Sequence, residues 1–104
     1  MDITINCFKL TEDFHREEKF GLSLQITRAS DSIPSNIAEG SSRSSEKEYA
    51  RFIEISLGSS YELETQLLIA QKLNYGKQDL LNETIINVND EQKMLMGFGN
   101  KLNK

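Results

Sequence analysis

A single proline, a single cysteine, a single histidine and no tryptophan occur in this chain, and each scarcity excludes something. One cysteine cannot close an intramolecular disulfide, so the fold must stand on its apolar core, and Cys7 suits a small buried hydrophobe. One histidine leaves no choice of base with which to assemble a Ser-His-Asp or Cys-His set. A glycine-rich phosphate loop is also missing. No apolar run approaches the roughly 18 to 20 residues needed to cross a bilayer. The N-terminus, MDITINCFKL, lacks the basic-then-apolar layout of a secretory signal. A cytoplasmic protein with no membrane attachment is therefore expected, and the glycosylation-like Asn82-Glu83-Thr84 carries no weight in such a chain. Long runs of one charge are absent too. Twelve basic against 16 acidic residues, a net charge of −4, argue against broad capture of phosphate backbones and leave room only for a local basic patch.

What the chain has is helical periodicity. At 104 residues, 38% hydrophobic and 27% charged, it is sized for one domain spanning 1–104 with a modest core. Apolar residues recur at three and four, not at two, which predicts helices throughout. Ile3, Cys7, Leu10 and Phe14 form the stripe of a short first helix. Leu22, Ile26, Ala29, Ile33 and Ile37 form that of a second, from about Glu17 to Glu39, with Gly40 as a left-handed C-cap. Pro34 falls inside this helix, where it removes the amide that would bond the Ser30 carbonyl; a kink is expected there, with the Ser30 hydroxyl as a local partner. Ser45-Glu46-Lys47-Glu48 is a capping box that starts a third helix near Glu46. Its seam of Tyr49, Ile53, Ser56, Ser60, Leu63, Leu67 and Ala70 runs until Asn74-Tyr75-Gly76 stops it. Ser56, Gly58, Ser59 and Ser60 would let a neighbouring helix come close. The fourth helix, about Gln78 to Leu102, presents Leu81, Ile85, Val88, Leu95, Phe98 and Leu102. The expected fold is an all-α, antiparallel up-and-down four-helix bundle, with its first helix short and its second kinked at Pro34. A helix half as long as its partners leaves seam uncovered, and self-association larger than a dimer is the expected consequence.

Three constellations bear on function. Glu12-Asp13-Phe14-His15 has the Glu-x-x-His spacing of di-iron bundle sites, but with one histidine in the chain a second copy of the motif cannot be supplied. No metal, no cofactor and no catalytic residue is expected, and the chain reads as a non-enzyme. Glu64 projects into the apolar arc of the third helix and needs a partner, either in the bundle or across a subunit interface. Gln25, Arg28, Ser32, Asn36 and Glu39 share one polar flank of the second helix. Arg28, Asn36, Glu39 and Glu64 are thus the candidate subunit-interface or partner contacts, with Arg28 proposed to reach Glu64 or a neighbour's carboxylates. Arg43, Lys47 and Arg51 cluster near Tyr49 and are the candidate nucleic-acid contacts, against a reading as a solubilising end of the bundle.

The segments Phe20-Gly21-Leu22, Gln25-Ile26-Thr27-Arg28-Ala29, Ile33-Pro34-Ser35-Asn36-Ile37-Ala38-Glu39-Gly40 and Leu57-Gly58-Ser59-Ser60-Tyr61-Glu62-Leu63-Glu64-Thr65-Gln66-Leu67-Leu68 together resemble the bacterial 23S rRNA-intervening sequence family. The resemblance extends from about Leu10 to Leu102. It implies a four-helix up-and-down bundle that assembles as a homopentamer, and a non-enzymatic homo-oligomeric scaffold or adaptor is the expected function. The accessory protein of diversity-generating retroelements is similar in fold and implies the alternative, an accessory factor that binds structured RNA or a retroelement intermediate. An RNA or protein partner is therefore the second expectation beside self-assembly.

Overall fold

A computed structural model describes residues 2–14 and 19–103. Helix α1 spans Asp2–Glu12. A π-helical turn, Lys19–Ser23, leads without a side-chain cap into α2, Leu24–Ser41. Helices α3, Glu46–Lys72, and α4, Gln78–Leu102, complete a four-helix bundle. No strand occurs among the described residues, and no helix is long and apolar enough to cross a membrane. The main packing runs α1–α2, α2–α3, α3–α4 and α4–α1, so the helices close a ring around one core. That core takes Cys7, Leu10 and Phe14 from α1 and the residues after it, Ile26, Ala29 and Ile33 from α2, Ile53, Leu63 and Leu67 from α3, and Leu81, Val88 and Leu95 from α4.

The helix boundaries follow from local chemistry. The Ser45 hydroxyl accepts the Glu48 amide at 3.2 Å, closing the front of the capping box that starts α3. Its other end is turned by Asn74 at φ 58° and Gly76 at φ 73°, and a Cβ on Gly76 would also lie 2.8 Å from Leu10 Cδ1, so a glycine is needed there twice over. Gly40 corrects the expectation drawn from sequence. It is no left-handed cap; α2 continues to Ser41 and is capped by Ser42 in right-handed geometry. Gly40 is buried because α3 leans on it: a Cβ there would stand 2.7 Å from Phe52 Cβ and 2.9 Å from Tyr49 Cδ1.

Pro34 lies within α2, which continues unbroken through it. The carbonyl it orphans, that of Ser30, is not served by the Ser30 hydroxyl, which donates to Thr27 O at 2.9 Å. The donor comes from another helix: Thr4 Oγ1 of α1 reaches Ser30 O at 3.1 Å. Helix α1, whose β-branched Ile3, Thr4, Ile5 and Thr11 are weak helix formers, thus docks by answering a defect in α2. Thr4→Val keeps the shape and removes the donor, and is expected to cost about 1 kcal/mol, measured by denaturant unfolding, whereas Thr4→Ser should be close to neutral.

Cys7 lies in the same seam. Burial pushes its thiol up from 9.0 to about 12, against a smaller opposing effect of its hydrogen bond to Ser30. It is a packed, unreactive side chain at neutral pH.

The small residues of α3 act unevenly. Ser56 Oγ donates to Ile33 O at 2.9 Å, and the Ser59 and Ser32 hydroxyls meet at 2.8 Å, which holds α2 and α3 close. Ser60 Oγ returns to Leu57 O at 2.6 Å. Gly58 takes no part, since a Cβ there would meet nothing. On α4 the expected apolar face is modified: Thr84 and Gln92 are buried within it, while Phe98 is 37% exposed at the end that short α1 does not cover and rests edge-on against Tyr49, 5.2 Å between centroids.

Candidate interaction face

Two matched stripes meet along the α3–α4 edge. On α3, Leu57, Tyr61, Glu64 and Leu68 recur at four, three and four; on α4, Ile85, Asn89, Gln92 and Met96 do the same. Leu57 and Met96 line one groove between the two helices, which identifies the face they share. Tyr61, Leu68 and Met96 are 44%, 40% and 46% exposed, so this face is apolar and open. In its middle, Gln92 Nε2 donates to Glu64 Oε1 at 3.0 Å and also approaches Ser60 O at 3.4 Å. Nearer one end, Gln71 Nε2 donates to Asn82 Oδ1 at 2.7 Å.

Glu64 therefore has a partner inside the bundle, and it is Gln92, not Arg28. A neutral amide satisfies one lone pair of a half-buried carboxylate that can accept about four hydrogen bonds. Arg28 is exposed on α2 and makes no hydrogen bond or ion pair among the described residues. The other two residues of the expected interface lie on the α2–α3 edge. Asn36 Nδ2 donates to Ser32 O at 2.8 Å and to Ser32 Oγ at 2.9 Å, extending the Ser32–Ser59 contact into a three-residue ladder. Glu39 pairs with Arg43 at 3.5 Å one helical turn on, an exposed contact of little energetic weight. The fold thus separates Glu64 from Arg28, Asn36 and Glu39.

The basic trio is also divided. Arg43 is engaged by Glu39 and lies over the Phe52 ring, 4.7 Å from its centroid. Lys47 and Arg51 are exposed but share their cleft with Glu48 and Glu54, whose negative charge offsets theirs toward a phosphate. Tyr49, expected among them, turns inward to Phe98. The Glu12-x-x-His15 motif ends on a residue outside the described ones. No group of three His, Cys, Asp or Glu side chains able to hold a metal ion occurs among the described residues.

Gln92 is the residue that sequence reasoning passed over. Leu81, Ile85, Val88, Gln92 and Leu95 step by four, three, four and three, so a polar side chain in a core register was visible there, as it was at Glu64. Two such residues on successive helices joined by a short turn are natural partners.

A family model described as 23S rRNA-intervening sequence protein matches residues 1–97. No curated relative matches the chain.

Proposed function

We propose that this chain, which belongs to the 23S rRNA-intervening sequence protein family, serves as a non-enzymatic, self-assembling scaffold whose α3–α4 face is the surface it uses for association. The observation that carries this reading is the open apolar stripe of Leu57, Tyr61 and Leu68 beside Ile85 and Met96, punctuated by the Glu64–Gln92 couple. Contiguous apolar surface of this kind stays in water only at a cost, and a central hydrogen-bonded polar pair fixes register when a partner covers it. Homopentameric assembly, as the family resemblance implies, uses such a face in every subunit. The alternative, an RNA-binding accessory factor, draws less support: the net charge is −4, and of the three basic candidates Arg43 is paired while Lys47 and Arg51 stand among carboxylates.

Replacing Tyr61 and Leu68 together by serine tests the reading. Both side chains are exposed, so helicity by circular dichroism should hold while the dissociation constant of the assembly rises at least tenfold. An unchanged assembly would remove this face from the account.

A further inference from the structure

Helix α1 is held differently from the other three. It has 11 residues against 18, 27 and 25, fewer than the roughly 12 to 15 at which a helix in water begins to hold itself, so docking keeps it helical. Among the described residues, both of its side-chain hydrogen bonds to α2 end on one residue. Thr4 Oγ1 donates to the Ser30 carbonyl at 3.1 Å, and Cys7 hydrogen-bonds the Ser30 side chain. At the other end, Leu10 and Phe14 pack on the turn between α3 and α4, against Gly76 and the edge-on Tyr75 ring. The ion pair there, Asp13 with Lys77 at 3.8 Å, is exposed and adds little.

Helices α2, α3 and α4 keep connections of their own. The Ser56–Ile33, Ser32–Ser59, Gln92–Ser60 and Gln71–Asn82 hydrogen bonds join α2 to α3 and α3 to α4 without any atom of α1. Only Cys7, Leu10 and Phe14 of the described core come from the N-terminal end of the chain. A pivot is also built in. The π-helical turn Lys19–Ser23 enters α2 without a side-chain cap, and Gly21 within it has open space where a Cβ would stand.

We infer that α1 is a strap latched at Ser30: residues 2–14 release as a unit, pivoting at the π-helical turn, while α2, α3 and α4 stay folded. Openings of this kind occur where few buried apolar side chains hold an element in place. Release bares the sides of α2 and α4 that α1 covers, and with them Cys7, the only thiol of the chain. The position of the strap therefore decides whether that thiol meets solvent.

Labelling of Cys7 by an aromatic disulfide reagent in the absence and presence of low urea tests this. The reference probe is Ser60→Cys in a Cys7→Ser chain, a fully buried and nearly isosteric position on α3, with Ser56→Cys in its place should that variant not fold. Cys7 should label at least tenfold faster than the reference probe and with a weaker dependence on urea, because less surface is exposed in releasing α1 than in unfolding the chain. Thr4→Val, which removes one tie to Ser30, should speed Cys7 labelling about threefold or more, and no change would reject Ser30 as the latch. Gly40→Ala perturbs the α2–α3 contact that the released form retains, so it should speed the reference probe and leave Cys7 within about twofold. Equal rates and equal urea dependence at the two positions would show that α1 leaves only when the whole chain unfolds, which overturns the inference. Labelling of Cys7 as fast as a small free thiol would overturn it from the other side, since α1 would then not be docked at rest.

Discussion

Leu63→Ala is expected to destabilise the chain by about 2 to 5 kcal/mol in denaturant unfolding. Leu63 is fully buried near the middle of the α3 seam, among the core residues contributed by all four helices, and the cavity left by its deletion has rigid helix on each side. Ile69, six residues further on, on another face of α3 and 43% exposed, is the matched control: Ile69→Ala should change stability by no more than about 0.5 kcal/mol. Equal effects at the two positions would show that the seam has been assigned to the wrong face of α3.

Gly40→Ala is expected to cost about 1 to 3 kcal/mol, the opposite of the small gain that replacing a helical glycine by alanine ordinarily brings. The added methyl would meet Phe52 Cβ at 2.7 Å, an atom attached directly to the α3 backbone and unable to rotate away. Relief requires α2 and α3 to separate, which would strain the Ser56–Ile33 and Ser32–Ser59 hydrogen bonds along the same contact. A loss of melting temperature on this substitution, together with an unchanged melt for Gly58→Ala, whose Cβ would meet open space, would establish close approach as the role of Gly40. A gain at both positions would return it to the role of an ordinary helix glycine.

Much of the fold was legible in the chain because α3 and α4 carry long, regular repeats. Ile53, Ser56, Ser60, Leu63, Leu67 and Ala70 all fall in the buried seam, and the capping box at Ser45 starts the helix where it should. The misreadings share one cause, which is that the deciding atom lies on another helix. A glycine that caps a helix and a glycine that admits a neighbour look alike until Tyr49 and Phe52 are seen to lean on it. The carbonyl freed by Pro34 has a local hydroxyl in sequence, but its donor arrives from Thr4, 26 residues away. At Glu64 the periodicity correctly announced a carboxylate in need of a partner. The projection of one helix gives an angle from its own core and not the identity of the neighbour on that side. Sequence offers Arg28 for that role, whereas the hydrogen bond made within the chain comes from Gln92.

The centre of the account is that the α3–α4 face exists to be covered by another copy. Sedimentation equilibrium of the unaltered chain across the micromolar range addresses this most directly. The account predicts a species larger than a dimer, and a stable monomer at those concentrations would contradict it.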